Sequence, residues 1–255
     1  MIDGKVGFTG GYNLAEEYFD RTRPYGKWKD TGLRLEGEAV RSLTAMFLEL
    51  WSVQKGKKEN LGKYRNICCS VPGCGFVQPY ADNPLDRQRV AENVYMNLIH
   101  RAEKSIYFMT PYLIITDEMT HALGLAAMRG VDVRIITPGV PDKKTVYAVT
   151  RSYYAGLVKQ GVRIYEYTPG FCHAKQCICD GEIVSIGTSN LDYRSLYHHF
   201  ENNVLFSGCE AVQDIADDFS DTFSQCREVT AQYQMGRGAM LRIWQYILRL
   251  FAPLM

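Results

Sequence analysis

His173 and Lys175, one residue apart, are followed by Asp180 and then by Gly187, Thr188 and Asn190. The set combines an imidazole, a cation on a short tether, a hydroxyl and an amide. This is what phosphoryl transfer to and from a side chain requires: a ring nitrogen to attack phosphorus or carry a proton, a cation for the phosphate oxygens, and neutral hydrogen-bonding groups around them. The chemistry needs no metal ligand set, so neither metal nor cofactor is expected. A single histidine on a strand is usually structural, whereas His, Lys, Thr and Asn converging at these offsets argue for a site.

Something must bring them together. Asp180-Gly181, flanked by alternating residues, predicts a two-residue type I′ hairpin with strands over 171–179 and 182–190. That turn sets Cys179 opposite Glu182, Lys175 opposite Ile186 and His173 opposite Thr188, with Asn190 on the next diagonal. With a side-chain period of two, His173, Lys175, Thr188 and Asn190 share one face. Asp180 falls at the turn, away from that face, and is expected to hold the hairpin through backbone hydrogen bonds.

The remaining pattern alternates helices with strands: helix over 36–51, a linker over 56–73, helix 86–102, strand 105–109, helix 118–129, strand 132–137, helix 145–160 and strand 163–167. This order predicts an α/β layered sheet. With 255 residues, 46% of them hydrophobic, the chain can bury a sizeable core.

His173-x-Lys175-x4-Asp180-x6-Gly187-Thr188-x-Asn190 resembles the HKD motif of the phospholipase D superfamily, with Thr188 where the family usually has serine. Trp28-Lys29-Asp30-Thr31, Gln78-Pro79-Tyr80, Thr110-Pro111-Tyr112, Gly130-Val131-Asp132-Val133-Arg134, Pro141-Asp142-Lys143-Lys144 and Tyr165-Glu166-Tyr167-Thr168-Pro169-Gly170 are similar to segments of bacterial cardiolipin synthases. The resemblance implies a phospholipase D fold: a mixed sheet flanked by helices, in two pseudo-symmetric halves. It implies a phosphatidyltransferase that joins two phosphatidylglycerols into cardiolipin plus glycerol through a phosphohistidine. It also implies anionic phospholipid and a membrane surface as partners, at the cytoplasmic face of a bacterial cell membrane. His173, Lys175 and Asn190 become catalytic residues, and Glu201 becomes the acid that orients the imidazole. Asp192, Arg194 and Ser195 belong to the extended motif and are expected to fix the loop after the hairpin. The same residues would equally serve a phospholipase D or a phosphatidyltransferase with another acceptor, and an inactive lipid-binding remnant is the non-enzymatic alternative.

Part of the pattern occurs twice. Asp3-x6-Gly10-x2-Asn13 repeats the spacing of Asp180-x6-Gly187-x2-Asn190, with Gly11 beside Gly10 as a further donor of a first half-site. The matching His and Lys would fall just ahead of Met1. By resemblance, two-motif members build one centre from both halves, with the first His as nucleophile, which assigns acid and base work to His173. Two expectations follow: the first half is truncated, the favoured reading, or two copies complete the site as a homodimer. The chain divides on this basis into 1–70, the remainder of the first half plus linker; 71–236, the domain with the full motif; and 237–255.

Tyr112, Lys143, Lys144 and Arg151 are candidates for substrate binding, with a solvated charge run as the alternative for the two lysines. Near balance, 29 basic against 28 acidic residues, argues against nucleic acid as the partner. Cys172, Cys177 and Cys179 read as reduced core thiols; Cys68, Cys69 and Cys74 have no assigned role, and neither group has zinc-finger spacing. No run of about 20 apolar residues occurs. Residues 237–255 show helical periodicity, with Ile243, Trp244, Ile247, Leu248 and Phe251 on one side and Arg242 and Arg249 on the other. That amphipathic helix either closes its own domain or lies in a lipid interface.

Overall fold

The computed structural model describes residues 1–57, 59–64, 73–85, 88–235 and 248–249. In chain order the elements are β1 Val6–Gly10, β2 Lys27–Lys29, β3 Gly32–Glu36, α1 Val40–Lys55, β4 Phe76–Asp82, α2 Val90–Arg101, β5 Ser105–Met109, β6 Leu113–Ile114, α3 Asp117–Met128, β7 Asp132–Pro138, α4 Lys144–Lys159 and β8 Arg163–Tyr167. Then follow β9 Gly170–Cys172, β10 Gln176–Cys179, β11 Ile183–Gly187, β12 Leu191–Asp192, β13 Glu201–Ser207, α5 Glu210–Ser224, β14 Cys226–Glu228 and α6 Thr230–Gln234.

Eight strands form one mixed sheet in the order β14-β8-β7-β5-β10-β11-β13-β4. β5, β7 and β8 are parallel because α3 and α4 cross over between them, and both of their faces are covered. On one side Ile99, Phe108, Leu123, Val133 and Tyr154 belong to a core that α2, α3 and α4 close. On the other, Val40 and Leu43 of α1 and Phe219 of α5 share a core with Met109, Ile136 and Ile186 of the sheet.

Strands 105–109 and 163–167 form where expected. The first helix runs to Lys55, beyond its predicted end, until Gly56 closes it at φ +62°. β4 and β13, which extend the sheet beyond the hairpin, were not among the predicted strands.

The hairpin departs from expectation in register. Asp180 and Gly181 do adopt the left-handed conformation, φ 54° and 71°, and the Glu182 N–H donates to the Cys179 carbonyl at 2.9 Å. The ladder, however, pairs Cys179 with Ile183, so Glu182 is an extra residue in the loop and every later partner slips by one. Nor is 171–179 one strand. β9 pairs with β2, β10 pairs with β5 and β11, and His173 and Lys175 lie where the chain passes from one to the other.

Cys172, Cys177 and Cys179 are buried thiols, and burial pushes Cys172 and Cys179 up to about 12; Cys74 is exposed, while Cys68 and Cys69 lie outside the described residues. Of the predicted C-terminal helix only Leu248 and Arg249 are described. Leu248 is buried in the first core, and the Arg249 guanidinium lies 4.0 Å from the Tyr153 ring centroid, so these two residues pack on their own domain. No described helix is long and apolar enough to cross a membrane.

Candidate functional site

β2 runs parallel to β9 with Trp28 opposite Phe171 and Lys29 opposite Cys172. The close approach depends on Gly170, where a Cβ would lie 2.3 Å from the Lys27 carbonyl oxygen. The His173 N–H continues the pairing to the Lys29 carbonyl at 2.7 Å, which delivers Asp30 to the histidine side chain. Asp30 Oδ2 then lies 2.8 Å from His173 Nδ1, with the Asp30 side chain fully buried.

Lys175 Nζ is also 2.8 Å from Nδ1, and it contacts the His173 carbonyl oxygen. A carboxylate can only accept and an ammonium only donate, so Nδ1 cannot serve both. With its hydrogen on Nδ1 directed at Asp30, the ring leaves Lys175 to donate to the carbonyl. Nε2 then carries the reactive lone pair or proton, and it has no hydrogen-bond partner among the described residues. Burial pushes His173 below its usual range, Asp30 opposes that shift, and the Lys175 charge reinforces it. Burial brings Lys175 itself down to about 8.

Glu201 does not orient His173, contrary to the sequence expectation; Asp30 does. Glu201 instead accepts from the Thr188 hydroxyl, and burial pushes it up to about 7. Repeat symmetry explains the exchange. Asp3-Gly4 adopts φ 50° and 68°, matching Asp180-Gly181, and Lys5 N donates to the Ile2 carbonyl at 2.9 Å as Glu182 N does to Cys179. Gly11 N donates to Thr31 O at 3.1 Å as Thr188 N does to Asn202 O at 2.9 Å. Asp30 therefore holds in the first half the place of Glu201 in the second, and Asp30 reaches across to the histidine of the other half. A Cβ at Gly11 would lie 2.1 Å from Asp30 Oδ1, so glycine there leaves the carboxylate the place it holds beside His173.

The structure gathers His173, Lys175, Thr188, Asn190, Asp192 and Glu201 at one place, with the Glu201 and Asp192 charges acting on Lys175. Asn190 Nδ2 donates to Asp192 at 3.1 Å, while its buried Oδ1 has no partner among the described residues. Asp192 accepts the Ser195 N–H at 2.7 Å, and Arg194 donates to His199 at 3.1 Å, so both hold the loop. Gly187 admits the β13 backbone, since a Cβ there would lie 2.3 Å from Asn202 O. Asp180 accepts from the N–H groups of Glu103, Lys104 and Ser105, tying the hairpin turn to β5 rather than to itself.

Tyr112, Lys143 and Asn13 line a cleft with His173, as do Tyr18, Trp28 and Asp142. Lys144 is exposed at the start of α4 and does not line it. Arg151 is also elsewhere, 3.2 Å from buried Glu166 and donating to Tyr233 at 2.8 Å, and does not line the cleft. Asp30 and Asp142 were not singled out from the sequence. The repeat could have yielded Asp30, had strand β3 been aligned with β13. Among the described residues no group of three or more His, Cys, Asp or Glu is placed to hold a metal.

Residues 95–223 match the family described as cardiolipin synthase, phospholipase D-like domain. The chain belongs to this family. Among cardiolipin synthase relatives, Cardiolipin synthase 2 of Bacillus cereus is 38% identical over the whole chain and the cardiolipin synthase of a Geobacillus strain is 36% identical; a Streptococcus mutans protein without an assigned function is 45% identical. The chain spans about half the length of the curated relatives it matches: 55%, 50% and 51% of these three. Its fold is shared with the phosphatidylserine synthase of Haemophilus influenzae, TM-score 0.69 over 98% of this chain and 67% of that one at 14% identity. It is shared too with the phospholipase D family member Nuc of Salmonella typhimurium, TM-score 0.52 over 60% and 97% at 20% identity. The mixed sheet with helices on both faces is thus the phospholipase D fold.

Proposed function

We propose that the chain carries one half of a phosphatidyltransferase centre of the cardiolipin synthase type, which joins two phosphatidylglycerols into cardiolipin and glycerol. The observation that carries this reading is the buried Asp30–His173 pair, made across the repeat with Lys175 alongside. It directs Nδ1 to the acid and turns Nε2 to the reaction.

In the first step a histidine of the other motif attacks the phosphatidyl phosphorus. The P–O bond to glycerol breaks, and the leaving oxygen takes the proton held on His173 Nε2. In the second step the acceptor alcohol returns a proton to Nε2 and attacks phosphorus, and the P–N bond breaks. Asp30 stabilises the imidazolium that enters the first step and is restored by the second, Lys175 neutralises phosphate oxygens, and Asn190 hydrogen-bonds there. Glu201 would orient the histidine of the first motif as Asp30 orients His173.

The test is turnover of phosphatidylglycerol vesicles by a protein carrying both motifs, with cardiolipin and glycerol read by mass spectrometry. His173→Ala is expected to lower cardiolipin formation by about a thousandfold or more. Cardiolipin formation that survives this change would overturn the reading.

A further inference from the structure

His173 borders a cleft of 360 Å³ whose wall is aromatic and whose rim is polar. Trp28 forms the wall, its ring centroid 5.3 Å from that of His173 and 4.4 Å from that of Tyr18. Across from it, Asp142 is fixed at both oxygens: Oδ2 accepts the Tyr112 hydroxyl at 2.5 Å and Oδ1 accepts the Lys143 N–H at 2.6 Å. Each of those oxygens keeps a lone pair. The Tyr18 oxygen accepts from Asn13 at 2.8 Å and retains its own hydrogen to donate.

The rim therefore offers acceptors and donors side by side, against an apolar ring face. A hydroxyl both gives and takes a hydrogen bond, so two adjacent hydroxyls on a short carbon chain match this alternation, with their C–H face on Trp28. Two carboxylates, Glu17 and Asp142, against the ammonium of Lys143 make the rim unsuited to a further phosphate.

We infer that this cleft is the acceptor-alcohol subsite, and that Asp142, held by Tyr112, selects a headgroup carrying a vicinal diol. This rests on the proposed phosphatidyl transfer, in which His173 takes the acceptor's proton and so must have that alcohol beside it. Asp142 binds the hydroxyl remote from the one that reacts, which leaves the reacting oxygen at Nε2. Water, having no second hydroxyl, gains nothing from Asp142, so the subsite also biases the centre from hydrolysis towards transfer.

The experiment uses the chain as it stands and two soluble phosphodiesters of equal charge: ethyl glycerophosphate, which carries one vicinal diol, and diethyl phosphate, its analogue with an ethyl group in place of the glycerol. Binding is followed by two-dimensional NMR, with the Trp28 indole and Tyr112 amide as reporters. The diol is expected to bind at least about tenfold more tightly than the ethyl analogue, with Asp142→Asn and Tyr112→Phe each removing most of the preference. Asparagine keeps the acceptor for Lys143 N–H, and both variants must retain the wild-type NMR fingerprint elsewhere. Equal affinity for the two probes, or a preference unchanged in both variants, would overturn the subsite whatever the turnover. Failure of the phosphatidyl transfer itself would appear as absent cardiolipin formation with the diol preference intact, which would sink the reaction assigned above and leave diol recognition standing.

Discussion

Asp30 Oδ2 lies 2.8 Å from His173 Nδ1 although 143 residues separate them in the chain. The contact exists because β2 lies parallel to β9, so a short segment before the first helix serves the motif of the second half. Removing the charge while keeping the shape should lower the His173 pKa further, since burial already depresses it and Asp30 is the main opposing influence. Asp30→Asn is expected to show this in an NMR pH titration of the imidazole and to cost phosphatidyl transfer about a hundredfold or more. An unmoved titration would mean that Asp30 does not govern the ring.

Glu201 makes stability depend on pH in the opposite sense to an ordinary salt-bridged acid. Its folded pKa, about 7, lies above the ordinary 4.5, so the folded state holds its proton more tightly and stability falls as pH rises from 4.5 to 7. Glu201→Gln should therefore stabilise the protein at pH 8 by up to about 3 kcal/mol and have little effect near pH 4.5. Denaturant unfolding of both proteins across that range checks it.

Lys175 is expected to lose its charge as pH passes about 8. Affinity for a phosphate mimic such as tungstate should decline through that pH, while Lys175→Met should bind weakly throughout. Stability follows the matching sign: the folded state binds fewer protons between about 8 and 10.5, so the wild type gains on Lys175→Met as pH rises through that interval. Calorimetric titration with tungstate and unfolding at matched pH give the two readouts.

Asp180, a member of the signature motif, is predicted to matter for folding rather than for chemistry. It accepts three backbone N–H groups leading into the start of β5 and sits at φ 54°. Asp180→Ala should cost about 1–2 kcal/mol, from the lost hydrogen bonds to an ionised carboxylate and a strained left-handed residue together. Urea unfolding measures it, and a loss of tungstate binding without a loss of stability would contradict the assignment.

The local chemistry was legible in the chain because it depends on short spacings. His173, Lys175, Thr188 and Asn190 could be identified as a set, Asp180-Gly181 as a turn, and β5 and β8 as strands, since each signal spans only a few residues. The repeat Asp3/Asp180, Gly10/Gly187 and Asn13/Asn190 was visible for the same reason.

Tertiary structure decided what those residues meet. One inserted residue, Glu182, shifted the hairpin register, and a period-two pattern has no means of foretelling a bulge. Pairing of β2 with β9 gave His173 to Asp30 and left Glu201 with Thr188, a choice between two acids of equal chemical merit. Arg151, a plausible anion ligand by type, was claimed by Glu166 and Tyr233. Each outcome depends on which distant strand or helix comes alongside, and that is set by burial of the whole sheet between its two cores rather than by any local spacing.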